Sequence, residues 1–445
     1  MPKITFMGAG STVFAKSVLG DSMCTPALQD SHLALYDIDP IRLRDSARML
    51  RIINKNVNKG RAKITTHCGT RERRNALRDA NYVVNAIQVG GYEPSTVIDF
   101  KIPRKYGLLQ TIADTAGIGG IFRTLRTVPV MLDFARDMQA VCPDAWMLNY
   151  TNPQGSLVTA MAMATDIKMV GLCHSVQVCA AGLLAGVGMM DDVKKLQWKV
   201  AGINHQSWLL EVTDGGVDLY PEARRRAKAL LREARKKGAK KHWDMVRLQV
   251  MLSFGYYVSE SSEHTAEYMP YWIKRLYPEL IEEFNIPIDE YLFRCRSQID
   301  WWNKQSKDLT KNPDLKHTRS HEYASYIMEA METDVPARIG GNVMNTGLIT
   351  NLPREVAVEV PCMVDRNGVQ GCYVGDLPPQ CAAMTRTHAN VHILAARAAV
   401  TRKKEHVYQA AMMDPHTAAE LSLDDIVKMC NELFKAHGRM LPQFK

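Results

Sequence analysis

Over the first 195 residues, short apolar runs alternate with helix-length stretches. Lys3–Met7, His32–Tyr36, Tyr82–Ile87, Ala145–Asn149 and Met169–Cys173 are five or six residues long and largely apolar. That texture predicts strands covered on both faces. Segments around Phe14–Ser22, Pro40–Lys59, Thr70–Arg78, Thr124–Val141 and Ser156–Ala164 carry helical patterning between them. Strand–helix alternation of this kind predicts an α/β fold with an N-terminal doubly wound, Rossmann-like parallel sheet. Ligands of such sheets bind beyond the carboxyl ends of the strands, so the residues just after each strand are the first candidates for chemistry.

Beyond about residue 195 the texture changes. Short strands at Trp198–Val200 and Trp208–Val212 precede a charged helix, aromatic-rich segments and a long helical tail from His388 to Ala436. The expected organisation is two domains, 1–195 and 196–445, the second of mixed α+β type, which 445 residues are enough to build. The sequence carries no internal repeat and no low-complexity stretch.

Composition narrows the class. A 46% hydrophobic and 23% charged chain is average for a globular protein, and no run approaches the roughly 18 apolar residues of a membrane span. No membrane partner is expected. The N-terminus, Met1-Pro2-Lys3-Ile4, lacks the apolar core of a secretory leader. Ten cysteines are scattered without Cys-x-x-Cys pairs, which argues against a disulfide scaffold or zinc ribbon and for a reducing, cytoplasmic compartment. The net charge of +9 is local: between Arg224 and Lys241 ten Lys or Arg stand against the single acid Glu233. No aromatic residue interleaves that run to stack on bases, so a solvated helix or an oligomer contact is expected rather than nucleic-acid binding.

The strand Lys3–Met7 runs into Gly8-Ala9-Gly10-Ser11-Thr12-Val13. Two glycines let a backbone turn tightly and approach a pyrophosphate at a helix N-terminus. Val13 stands where the usual fingerprint has its third glycine, and a Gly-x-Gly alone also suits an ordinary strand-to-helix turn. Asp37 ends the second strand, where an acid binds ribose hydroxyls and repels a 2′-phosphate, so NAD is favoured over NADP. Gln88 and Gly90 follow the strand Tyr82–Ile87 in a second small-residue turn suited to cofactor contact. Asn149-Tyr150-Thr151-Asn152-Pro153 resembles the Asn-Pro turn that lactate and malate dehydrogenases place near the nicotinamide.

Two further strand ends carry Cys173-His174-Ser175-Val176 and Gly202-Ile203-Asn204-His205. A cysteine and a histidine so placed could ligate a divalent metal, although a core cysteine and a capped histidine account for them equally well. With Gly8-Ala9-Gly10-Ser11, Ala113-Asp114-Thr115, Gly119-Gly120-x-x-Arg123, Asn149–Pro153, Glu260-Ser261-Ser262-Glu263-His264 with Tyr268, and Met412–Thr417, they resemble glycoside hydrolase family 4 nearly end to end. The tetrad Cys-His-Ser-Val is similar to that of the α-galactosidase (melibiase-type) members.

The resemblance implies hydrolysis by oxidation at C3 of the sugar, elimination, addition of water and reduction, with bound NAD and a divalent metal, Mn²⁺ by analogy; the family is an exception to two-carboxylate glycosidases. It implies Cys173 and His205 as metal ligands, His174 as acid for the leaving group and Tyr268 as base at C2, with Glu263, His264 and Glu267 close enough in sequence to compete for that last role. Cofactor contacts would come from Gly8, Gly10, Ser11, Thr12, Val13, Asp37, Gln88, Gly90 and Asn152, and sugar contacts from Asp114, Asn152 and Glu263. The first domain would bind NAD; the second would bind substrate, complete the metal site and form a homodimer or homotetramer. An α-glucosidase or α-uronidase needs the same chemistry, a 2-hydroxy-acid dehydrogenase would release NADH, and a non-catalytic NAD sensor would not need so many polar strand ends.

Overall fold

The apolar runs pair as expected in the computed structural model, which describes residues 1–236 and 238–445; Lys237, in the basic run, lies outside the described residues. The strands are β1 Lys3–Met7, β2 His32–Asp37, β3 Lys63–Cys68, β4 Tyr82–Asn85, β5 Trp146–Asn149, β6 Lys168–Gly171, β7 Leu196–Ile203, β8 Gln206–Asp214, β9 Val217–Asp218, β10 Tyr257–Val258, β11 Ala337–Met344, β12 Ala357–Asp365 and β13 Gly368–Gly371. The first six form a parallel sheet in the order β3-β2-β1-β4-β5-β6, the doubly wound arrangement. Neighbouring residues on each strand feed opposite cores: Phe6, Leu35, Val84 and Leu148 pack on one face, and Met7, Tyr36, Val83 and Met147 on the other.

The sheet does not stop at residue 195. β6 meets the antiparallel pair β11–β12 through a single residue pair, Asn342 opposite Gly171, and β12 meets β7 through another, Glu359 opposite Gly202. The expected division near residue 195 falls just before β7, yet the helix Pro379–Thr401 lies back against the helices Gly117–Val141 and Gln154–Ala164 of the N-terminal half. Apolar residues between Val391 and Phe444 join the same core as Met7 and Val83.

Two differences from the sequence reading have local causes. β3 was not expected, because Lys63–Cys68 is a polar edge strand with no fully buried residue. β4, β5 and β6 are shorter than the apolar runs; Ala86–Ile87 and Leu172–Cys173 leave the ladder and turn toward the ligand edge. The helical tail expected from His388 to Ala436 consists of four helices, Pro379–Thr401, Lys404–Met413, Pro415–Glu420 and Leu423–His437. Left-handed Arg402 ends the first, and Asp414 and Ser422 cap the last two through their side chains. The first part of the basic run, to Ala234, lies in a solvated amphipathic helix, Tyr220–Ala234, which buries Ala223, Ala227 and Leu231 while Arg225 and Arg226 pair with Glu222. Among the described residues no helix is long and apolar enough to cross a membrane.

Candidate functional site

The carboxyl ends of the parallel strands gather most of the candidate residues along one edge. Gly8 turns with φ 89°, donates its amide to the Tyr36 carbonyl, and lies so near Ala86 that a Cβ would sit 2.7 Å from that residue's carbonyl oxygen. Gly10 donates its amide to one oxygen of Asp37 at 2.6 Å, and the other oxygen accepts from the Asp39 amide at 2.9 Å. Asp37 therefore fixes the glycine turn from the end of β2. Ser11 leads into the helix Thr12–Cys24, and its buried hydroxyl has no partner. An orphaned hydroxyl beside a glycine turn at a helix N-terminus fits a pyrophosphate. Thr12 bonds back to the Gly10 carbonyl, Val13 is exposed at the rim, Gln88 bonds Thr96, and Gly90 turns with φ 83°.

Asn149 shapes the neighbouring turn. Its side chain accepts from Asn85 and donates to the Thr151 carbonyl and to Gln154, all within 2.9 Å. Asn152 is thereby set to donate to Asp114 at 3.1 Å. Asp114 lies on a buried loop laid directly over the helix Gly117–Val141. The first turn of that helix can touch the loop because Gly119 and Gly120 carry no Cβ, which would fall 2.5 Å from backbone atoms of Ala113 and Thr115. Burial opposes ionisation of Asp114, but His264, Arg123 and His205 outweigh it and hold the carboxyl well below its ordinary range.

Cys173 stands at the N-cap position of the helix His174–Gly186, and its sulfur lies 3.2 Å from the Ser175 hydroxyl. His205 occupies the two-residue turn between β7 and β8 in the left-handed region, φ 63°. One oxygen or nitrogen of Glu260 and His205 and the sulfur of Cys173 lie within 4.8 Å of one another; Asp114, His205 and His264 form a second such group. A thiolate, an imidazole and a carboxylate suit a borderline divalent cation. Burial disfavours the charged imidazole of His205, yet Cys173, Glu260 and Asp114 push it up to about 10. Glu260 was not singled out by sequence reasoning, although it opens the Glu260–His264 motif; only the fold turns it toward His205.

The competing bases separate in space. Tyr268 is buried, with its hydroxyl 3.1 Å from His205 Nδ1, and burial with nearby Asp114, Glu267 and Glu260 raises its phenol well above 10. Glu267 is consumed by structure: its carboxylate accepts from the Thr111 hydroxyl and the amides of Ile112 and Ala113 at 2.8 to 3.1 Å. Glu263, expected to touch the sugar, is paired with Arg294. His264 bonds Ser261 and faces His205, ring centroids 4.9 Å apart. His174 is half-exposed and bonds both oxygens of Glu322 at 2.8 and 2.9 Å; that bond, more than burial opposes it, raises the imidazole above its ordinary value. Glu322 had no sequence signal at all, since it reaches His174 from 148 residues away.

The sequence and the fold both have known relatives. The chain is 57% identical to an alpha-galactosidase of Bacillus subtilis over all of both chains, and 33% identical to an alpha-galactosidase of Rhizobium meliloti over 99% of this chain and 89% of the relative. Its fold matches a 6-phospho-alpha-glucosidase from gut microorganisms, solved in complex with NAD and Mn²⁺, with a TM-score of 0.80 at 18% identity over all of both chains. The malate dehydrogenase of Cryptosporidium parvum shares the dehydrogenase-like architecture at a TM-score of 0.52 and 14% identity, over 90% of this chain and 99% of that one. Residues 3–189 match the family 4 glycosyl hydrolases and residues 200–417 match the C-terminal domain of that family, so the chain belongs to family 4 of the glycosyl hydrolases.

Proposed function

We propose that the chain hydrolyses α-galactosides with the help of NAD⁺ and a divalent cation, Mn²⁺ in the first instance. The observation that carries this reading is the meeting, along one sheet edge, of a glycine turn with an orphaned Ser11 hydroxyl and the donor set Cys173, His205 and Glu260. Full-length likeness to alpha-galactosidases supports the choice of sugar. NAD⁺ and the cation, when bound, supply reversible oxidation at C3 and Lewis acidity at the C2 and C3 oxygens.

The protein does the rest. Cys173, His205 and Glu260 hold the cation; Gly8, Gly10, Ser11 and Asp37 hold the dinucleotide; Asp114 and Asn152, already hydrogen-bonded to each other, face the sugar hydroxyls. Tyr268, as the phenolate that a cation bound at His205 would favour, is placed to take the C2 proton, and His174 to give a proton to the departing oxygen while Glu322 steadies its ring. Ten free cysteines support a cytoplasmic setting. The helix Glu290–Lys311 buries only Thr310 and exposes Phe293, Ile299 and Trp301, which supports a homodimer or homotetramer.

Assaying nitrophenyl α-galactoside, α-glucoside and α-glucuronide side by side, with NAD⁺ and Mn²⁺ and again after chelation, tests the reading. Turnover of the galactoside alone, lost on chelation and restored by Mn²⁺, is expected. Preference for another glycoside overturns the substrate, full activity without metal overturns the donor set, and stoichiometric NADH release would mark a dehydrogenase.

A further inference from the structure

Cys173 and His205 follow β6 and β7, which lie in different parts of the sheet joined through the β11–β12 ladder. Asn342 of β11 and Glu359 of β12 stand opposite each other, and each makes the single ladder pair to the next strand of the main sheet: Asn342 with Gly171 of β6, Glu359 with Gly202 of β7. Gly171 lies two residues before Cys173, and Gly202 three before His205. The side chains repeat the connection. The Asn342 amide donates to the Gly171 carbonyl at 3.3 Å and to Glu359 Oε1 at 3.0 Å; the same oxygen accepts from Asn204 at 3.2 Å, and Oε2 lies 2.7 Å from the Ser207 hydroxyl. Asn204 and Ser207 flank His205, whose left-handed backbone needs such support. Glu359 and Asn342 are both fully buried, and neither belongs to the donor set.

We infer that Glu359 and Asn342 are positioning residues that fix the spacing between the Cys173 and His205 donors, acting through hydrogen bonds across the only ladder between the two halves of the sheet among the described residues. The inference rests on Cys173 and His205 being metal ligands. Outer hydrogen-bonding partners of this sort commonly set metal affinity, because a ligand free to swing loses the geometry the ion requires. The proton count adds detail. Ser207 has one hydroxyl hydrogen and two acceptors in reach, the Ile203 carbonyl at 2.9 Å and Glu359 Oε2. A protonated Glu359 resolves the conflict by donating to Ser207, and burial does push its carboxyl upward. Glutamine, with an amide hydrogen in the same place, can make every one of these bonds.

The test is a titration of the full-length protein with Mn²⁺ alone, reading free Mn²⁺ by electron paramagnetic resonance, with NAD⁺ affinity and Tm measured on the same samples. Glu359→Ala is expected to weaken Mn²⁺ binding by about 10- to 100-fold, leave NAD⁺ affinity unchanged, and keep its loss at temperatures where the variant is fully folded. Glu359→Gln is expected to retain near wild-type Mn²⁺ affinity. Should Glu359→Ala fail to fold, Asn342→Ala, which keeps Asn204 and Ser207 on the carboxyl, is expected to weaken Mn²⁺ in the same sense. A folded alanine variant with wild-type Mn²⁺ affinity and only a lowered Tm overturns the inference, as does a glutamine variant as weak as the alanine one. Wild-type protein that takes up no Mn²⁺ sinks the metal reading itself, a separate and recognisable result.

Discussion

The hydroxyl of Tyr268 and Nδ1 of His205 share a 3.1 Å hydrogen bond between two buried, nearly parallel rings. The bond occupies one ring nitrogen and leaves Nε2 toward Glu260, 3.7 Å away. The proposed base and the proposed metal ligand are thus one hydrogen bond apart, and a cation on His205 would favour the phenolate that burial otherwise opposes. Tyr268→Phe is expected to lower kcat by roughly 10²- to 10⁴-fold while KM changes little, because proton abstraction belongs to the transition state. Steady-state kinetics on nitrophenyl α-galactoside decides it; an unimpaired variant moves the base to His264, since Glu263 and Glu267 are already engaged by Arg294 and by backbone amides.

Glu322 grips His174 with both oxygens, which orients the ring and favours its protonated form. A general acid matters most where the leaving group is a poor one. Glu322→Gln is therefore expected to slow alkyl or oligosaccharide α-galactosides by up to about 10²-fold and to leave the nitrophenyl substrate nearly untouched. Equal slowing of both classes would assign Glu322 to holding the fold rather than to proton delivery.

Stability should fall in mild acid for a reason outside the site. His32, half-buried on β2 and hydrogen-bonded to the Thr65 hydroxyl at 2.9 Å, is lowered from 6.5 to about 4 by burial and by Lys3, Lys63 and His67. Between those values the unfolded chain binds a proton that the folded chain refuses, so this contribution is complete above pH 6.5 and is lost as the pH drops toward 4. His32→Gln is expected to flatten the fall of Tm with pH across that window. A slope identical to wild type would show that other groups carry the acid sensitivity.

What could be read in advance follows from how local each signal is. β1, β2, the Gly8–Val13 turn and Asp37 were legible because a strand buried on both faces and the turn after it are encoded by contiguous residues. Cys173, His205 and Tyr268 were nameable only through their motifs, since nothing within a few residues of each says that they meet. Glu260, Glu322, Glu359 and Asn342 were illegible for the same reason taken further. A lone acid or amide in a sequence reads as surface, and its role comes from a partner more than 50 residues away, as in His205–Glu260, or 148, as in His174–Glu322. The edge strand β3 escaped because one exposed face and a polar composition erase the apolar run.

The proposed chemistry also leaves a mark on the product that no residue assignment is needed to read. If a ketone at C3 acidifies the neighbouring C–H, the C2 proton leaves to a base and must be replaced before the sugar is released. In D₂O the galactose formed should then carry deuterium at C2, whereas hydrolysis between two carboxylates never breaks that bond. The surroundings of Tyr268 bear on the outcome. Its hydroxyl is buried and bonded to His205, so a captured proton could be returned before exchanging with solvent. Mass spectrometry of the product should therefore be paired with kinetics on a substrate deuterated at C2. Deuterium in the product, or its absence together with a primary isotope effect, supports abstraction at C2, the second case meaning that the base keeps its proton. Absence of both label and isotope effect would exclude C2 proton abstraction as a rate-contributing step and, with it, the role argued for Tyr268.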